Sequence, residues 1–285
     1  MKVKCPFCSS KKIKFLRDLK SSINNKNYEH RLCNNCGLEF FTPLIFENIY
    51  ETEIHGAYGS HHEGKKSYLE WTKQLVKTLK KLKLDYKNLQ ILDIGAGDCI
   101  NFRALNEKFG VTAKNYSALE FDSKSCKVCK RRGVKNIINK PFNKCVLRQF
   151  KGKKYDLIIS TEVIEHMVDL KEYIGTLIFL LNKGGIAVLT TPNKGRVFIR
   201  QREHIGGDVP PNHFLRFDKY FFRKNLRKNL IYAKDYPFNN IKGMSIGLSL
   251  KFLKNGFWYP FFPISIVFRI VSYFKGDGVV IVLKK

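Results

Sequence analysis

The opening residues, Met1-Lys2-Val3-Lys4-Cys5-Pro6, lack the apolar run that a secretory signal peptide requires. A cytoplasmic location with reduced thiols is therefore expected, and the eight cysteines are read as ligands or buried thiols rather than disulfides. Acidic residues are scarce as well, 24 against 52 Lys and Arg, leaving a formal charge of +28. That imbalance suits polyanions or negatively charged small substrates. The lysines are spread over the whole chain, however, and no basic-aromatic RNA motif accompanies them, so nucleic acid is an available partner rather than the favoured one. Unbroken runs of membrane length are lacking too. Residues 256–274 are apolar and aromatic with Arg269 as their one charge, but Pro260 and Pro263 break the first half and the remainder is too short to span a bilayer. Burial or a partner contact is expected there, with peripheral membrane contact as the alternative.

Against these absences stand two CxxC pairs, Cys5-Pro6-Phe7-Cys8 and Cys33-Asn34-Asn35-Cys36. Two such knuckles bring four thiolates to a tetrahedral point, the geometry of a closed structural Zn²⁺ site. Alternating residues in Lys12 to Leu16 and Leu38 to Phe41 suit short flanking strands, and residues 1–43 are read as a zinc ribbon with Cys5, Cys8, Cys33 and Cys36 as ligands. A linker and helical lid are expected over 44–88. Its first part, with His55, Tyr58, His61 and His62 among glycines, reads as a mobile loop. Its second repeats Trp71, Leu75, Leu79, Leu82 and Leu84 at helical spacing.

From residue 89 onward the pattern is α/β. Gln90 to Asp98 is an apolar run, an acid and a Gly95-x-Gly97 turn, followed by a helical stretch from Asn101 to Phe109. Further strands are expected at Tyr116 to Asp122, Ile137-Ile138, Tyr155 to Ser160, Ile186 to Thr191 and Gly278 to Leu283. Helices are expected at Leu170 to Leu181, capped by Gly184-Gly185, and at Lys219 to Leu230. Such alternation predicts a parallel sheet with its ligand beyond the carboxyl ends of the strands, where the glycines, Glu120 and Thr161 fall. Cys126 and Cys129, a third CxxC without a second pair, read as thiols on a helix face.

A dinucleotide turn would carry a third glycine where Ile100 stands. Asp93 and Asp98 would repel a pyrophosphate but attract the ammonium and sulfonium of S-adenosylmethionine. Glu120, one strand on, is placed to accept ribose hydroxyls. At this point the chain resembles the class I S-adenosylmethionine-dependent methyltransferases, through Leu92 to Asp98, Leu119-Glu120, Tyr155 to Ile158, Thr161 to His166, and Leu180 to Gly185 running on to Thr191-Pro192-Asn193. The resemblance implies a Rossmann-like sheet, mostly parallel and of seven strands, over 89–285 with substrate-side insertions at 194–275. It also implies that Asp93, Gly95, Gly97, Asp98, Glu120, Phe121, Thr161 and Glu162 meet the cofactor.

The ribbon, the linker and the Pro210-Pro211-Asn212-His213-Phe214 segment together look like a bacterial subgroup tied to methylation of sugars, cell-surface glycan precursors or other small polar metabolites. RNA methylation is the alternative, and a non-catalytic interaction module the third reading. A hydroxyl acceptor needs its proton removed. His166 and His213 are the candidate bases, with Asp208 and His204 as weaker choices.

Overall fold

The structure, a computed structural model, describes residues 3–45, 68–142, 144–150, 152–196, 203, 208–237 and 276–285. Three antiparallel strands come first: β1 (Ile13–Lys20), β2 (Asn27–Cys33) and β3 (Glu39–Thr42). Helix α1 (Glu70–Leu82) leads into β4 (Ile91–Ile94), α2 (Ile100–Phe109), β5 (Tyr116–Leu119), α3 (Ser123–Arg131) and β6 (Asn136–Ile138). There follow β7 (Tyr155–Thr161), α4 (Leu170–Leu180), β8 (Leu181–Pro192), β9 (Leu215–Arg216), α5 (Lys219–Asn225), β10 (Leu230–Tyr236) and β11 (Gly278–Lys284).

Seven of the strands form one sheet in the order β10-β11-β8-β7-β4-β5-β6. The pairs from β8 through β6 are parallel, and β11 runs antiparallel to both β8 and β10. This is the mostly parallel, seven-stranded Rossmann-like sheet that the resemblance implies, with the small N-terminal ribbon beside it.

The continuous apolar runs are explained by burial on both faces. In β11, Val279, Ile281 and Leu283 enter one core cluster, while Val280 and Val282 enter the other. In β7, Ile158 and Leu157 divide in the same way. Strand period two thus feeds two cores from one sequence run. Leu75 and Leu79 of α1, with Phe102 and Leu105 of α2, cover one face. The other is covered by α4, α5 and the ribbon's Phe40 and Phe41. Helix starts are set by side-chain caps: Asp122 accepts from Lys124 N and Ser125 N, Asp169 from Glu172 N, and Asp218 from Phe221 N.

Two expectations are corrected. The helix predicted for Lys219 to Leu230 stops at Asn225, and Leu230 opens a strand. The edge of β11 supplies Leu230, Tyr232 and Ala233 with ladder partners, and this long-range pairing overrides local helix preference. Nor do Gly184 and Gly185 cap α4. Leu181 is already extended and pairs with Tyr155, so Gly184, at φ +78°, turns the chain within the strand entry.

Among the described residues no helix is long and apolar enough to cross a membrane. The 256–274 segment, the histidine-rich stretch with His55, His61 and His62, and His204 lie outside the described residues.

Ile281 is fully buried, so Ile281→Ala is expected to lower the unfolding free energy by about 2–5 kcal/mol, read from urea denaturation with an unchanged m-value.

Candidate active site

The Gly95-Ala96-Gly97 turn follows β4 and occupies conformations that suit glycine, with φ +67° at Gly95 and +53° at Gly97. A Cβ on Gly95 would meet Val163 Cγ2 at 2.4 Å. Helix α2 then begins at Ile100, with Cys99 as its N-cap residue, left-handed at φ +59°.

Asp93, at the end of β4, is wholly buried. Its carboxylate accepts from the Tyr116 hydroxyl and faces Asn101 Nδ2 at 3.3 and 3.5 Å. The same amide reaches Thr161 Oγ1 at 3.0 Å, and Thr72 Oγ1 donates to Asn101 Oδ1 at 3.0 Å. One asparagine therefore joins α1, α2, β4 and β7. Burial pushes the Asp93 pKa up to about 7, against the pull of the Tyr116 and Asn101 hydrogen bonds.

Glu120 closes the turn from β5. Its Oε2 accepts from Gly97 N at 2.7 Å and its Oε1 from Asp122 N at 2.8 Å, and burial raises its pKa. Asn139 Nδ2 donates to the Glu120 and Phe121 carbonyls at 3.0 and 2.8 Å, which fixes the segment beside the turn. Asp98 is buried against Arg132, 3.0 Å away, so an arginine of the segment after α3 balances its charge. An opening next to these groups is lined by Leu69, Trp71, Gly95, Gly97, Asn101 and Thr161.

Sulfur chemistry beneath the turn differs from expectation. Cys99 and Cys129 form a disulfide that ties the turn to α3, whereas Cys126 keeps its thiol and donates to the Glu120 carbonyl at 3.5 Å. The two cysteines are far apart in sequence but meet because α3 packs beside the start of α2.

Past β7 the chain carries Glu162, at φ +55°, with Oε1 accepting from Thr190 Oγ1 at 3.1 Å. A short 3₁₀ turn, Ile164–His166, follows. His166 Nδ1 donates to the Asn212 carbonyl at 2.5 Å, and its ring meets that of His213 edge-on at 4.7 Å. Burial and the neighbouring His213 push the His166 pKa down to about 3.

His213 Nδ1 lies 3.1 Å from Asp208 Oδ1, and Asp208 is also ion-paired with Arg196. On its far side His213 Nε2 stands 3.9 Å from Glu165 Oε1, while Glu165 Oε2 accepts from Thr191 at 3.0 Å. The structure thus brings both predicted histidines together, next to a cavity lined by Asn193, Lys194, Arg196, Asp208, His213 and Arg216.

Among the described residues two groups of side chains could hold a cation. The sulfurs of Cys5, Cys8, Cys33 and Cys36 all lie within 4.8 Å of one another, with Cys5–Cys36 at 3.5 Å and Cys8–Cys33 at 3.6 Å. Tetrahedral zinc–thiolate bonds of about 2.3 Å would set sulfurs about 3.8 Å apart, so the tetrad fits that ion. Glu165, His166 and His213 form the second group, again within 4.8 Å, a carboxylate–imidazole set suited to a divalent cation.

Asn101, Thr72, Tyr116 and Glu165 did not emerge from the sequence. Asn101 lies one helical position beyond Ile100 and had only its place after the turn to mark it. For Glu165 the available signal is its place beside His166, a carboxylate next to an imidazole.

A family model described as "Methyltransferase domain" matches residues 61–230. The ubiquinone biosynthesis O-methyltransferase of Rickettsia typhi is 32% identical over 143 residues, covering 47% of this chain and 56% of that protein. That of Rickettsia canadensis is 33% identical over 135 residues, covering 45% and 55%. The chain spans about half the length of these curated relatives. Among solved structures, coclaurine N-methyltransferase bound to N-methylheliamine and SAH superposes with a TM-score of 0.53 at 14% identity, over 83% of this chain and 80% of that one. The plantazolicin methyltransferase BamL, complexed with a triazolic desmethylPZN analog and SAH, gives 0.51 at 12% identity, over 83% and 92%. Both likenesses concern the fold.

Gly95→Ala combines a left-handed φ with a clash, and is expected to cost about 1–3 kcal/mol by thermal unfolding. The His166 prediction concerns pH. Its folded pKa is depressed below the unfolded value, so the unfolded chain binds the extra proton and stability falls as pH drops from about 6.5 toward 3. In His166→Gln, urea midpoints measured between about pH 7 and pH 4.5 should decline less steeply than in the parent protein.

Proposed function

The chain belongs to the methyltransferase-domain family, and on that footing we propose that it moves the methyl group of S-adenosylmethionine to a hydroxyl of a small polar acceptor. The observation that carries this reading is the glycine turn, flanked by Asp93 and Glu120, standing in the same strand-end region as the His166–His213 pair. Asp93, Gly95, Gly97, Asp98 and Glu120 are assigned to the cofactor side, with Phe121, Thr161 and Glu162 at its border. The relatives' name, an O-methyltransferase, supports oxygen as the accepting atom. A sugar or a related hydroxylated metabolite suits the polar, charged lining beside His213.

Methyl transfer is an in-line displacement, so holding nucleophile and sulfonium carbon close and aligned supplies much of the acceleration. His213 acts as the base. Asp208 accepts from its Nδ1 and so sets the tautomer in which Nε2, on the Glu165 side, takes the acceptor proton, and Arg196 anchors Asp208 in turn. His166, held neutral and bonded to the loop carbonyl at Asn212, orders the segment on which His213 stands. The four ribbon thiolates hold a structural zinc ion, which supplies rigidity rather than chemistry.

Asp93 links the reading to pH. A cationic ligand favours the carboxylate over the acid, so binding of S-adenosylmethionine releases a proton and strengthens as pH rises through about 7. Calorimetry in two buffers of different ionisation heat should detect that proton. Asp93→Ala and Glu120→Ala should abolish binding, and undiminished affinity in both would sink the cofactor assignment.

Fractionated extract incubated with methyl-labelled cofactor should yield a labelled small molecule, and label that ribonuclease removes would point to RNA instead. With the acceptor found, His213→Ala should reduce kcat by about 10²–10⁴ while leaving the KM for the cofactor unchanged.

A further inference from the structure

We propose that the cysteine ribbon is the positioning element for His213. This inference rests on the reading of His213 as the acceptor-side base. The ribbon sheet has four strands in the order β1-β2-β3-β9, and the fourth is not part of the ribbon sequence. It is Leu215–Arg216, which begins two residues after His213 and pairs with Phe40 and Glu39. The ladder continues where Phe41 N donates to the Phe214 carbonyl at 2.9 Å.

The other end of the loop is tied to the ribbon as well. Ser21 Oγ donates to the Pro210 carbonyl at 2.5 Å, and Ser22 Oγ to the Glu203 carbonyl at 3.1 Å. Arg17 and Arg216 both reach Glu203 Oε1 at 2.5 Å, and Arg216 also donates to the Asp208 carbonyl at 3.0 Å. Arg216 lies over the Phe41 ring at 4.8 Å, and Tyr28 meets Phe214 edge-on.

The methyltransferase side grips the same loop from the opposite direction. His166 holds the Asn212 carbonyl and the Glu165 carbonyl accepts from Phe214 N. The backbone around Asp208 and His213 is therefore fixed between two bodies, one of which is held by the cysteine tetrad. The cofactor turn makes none of these contacts. Ribbon integrity thus governs the acceptor-side base and leaves cofactor binding alone. Arg17 and Ser21 are positioning residues, acting through the loop backbone.

The test is the double variant Arg17→Met/Ser21→Ala in the full chain, which spares the cysteines and both candidate sites. Hydrogen–deuterium exchange should accelerate about tenfold or more at the amides of 208–217. Zinc content, the melting temperature and the dissociation constant for S-adenosylhomocysteine should hold. Labelled methyl turnover should fall in kcat without a change in the KM for S-adenosylmethionine, and Arg17→Lys with Ser21 intact should recover it. Unchanged exchange at 208–217 would overturn the proposal. So would faster exchange throughout the seven-stranded sheet with weakened S-adenosylhomocysteine binding, since the ribbon would then be a general support. Faster loop exchange with undiminished turnover would keep the tie but remove His213 from its role as base, which separates the two readings.

Discussion

A carboxylate in a dry interior must find donors, and Asp93 meets that requirement in the middle of the large sheet. Its place at the end of β4 leaves Tyr116 from the neighbouring strand and Asn101 from the following helix as partners. Asn101 then draws in Thr161 and Thr72, so four elements are registered against one acid. The glycine turn sits directly after it and inherits that precision. Raising the Asp93 pKa to about 7 is the cost of the arrangement, and it leaves the acid responsive to a nearby positive charge.

Local chemistry made much of this visible in the sequence. The apolar runs Leu157 to Ile159 and Val279 to Leu283 read as strands because two-sided burial leaves no polar alternation. The four ribbon cysteines were legible from spacing alone. Long-range pairing was not. The basic helix read over Lys219 to Leu230 ends at Asn225, and Leu230 instead opens a strand because β11 offers its edge. The meeting of Cys99 with Cys129 depends on how α3 packs beside the start of α2, which no local pattern records. Asn101 escaped for a related reason: an asparagine on a helix is ordinary until a buried acid lies beside it.

The candidate site divides along the same line. Glycines and acids at strand ends follow from fold logic, and they gather where that logic puts them. The proposed acceptor side is assembled from distant stretches, with Glu165 and His166 after β7, Arg196 after β8, and Asp208 and His213 before β9. Its coherence comes from the ribbon sheet accepting a strand from the other body, a contact between residues 39–42 and 215–216 that sequence spacing does not announce.

β11 lies between β8 and β10, although it is drawn from residues 278–284. During synthesis, β8 must wait with an open edge while the 85 residues 193–277 emerge, and neither core is complete until β11 arrives. Translation speed over that stretch, and any chaperone that shelters a bare strand edge, thus become part of how this chain reaches its native state.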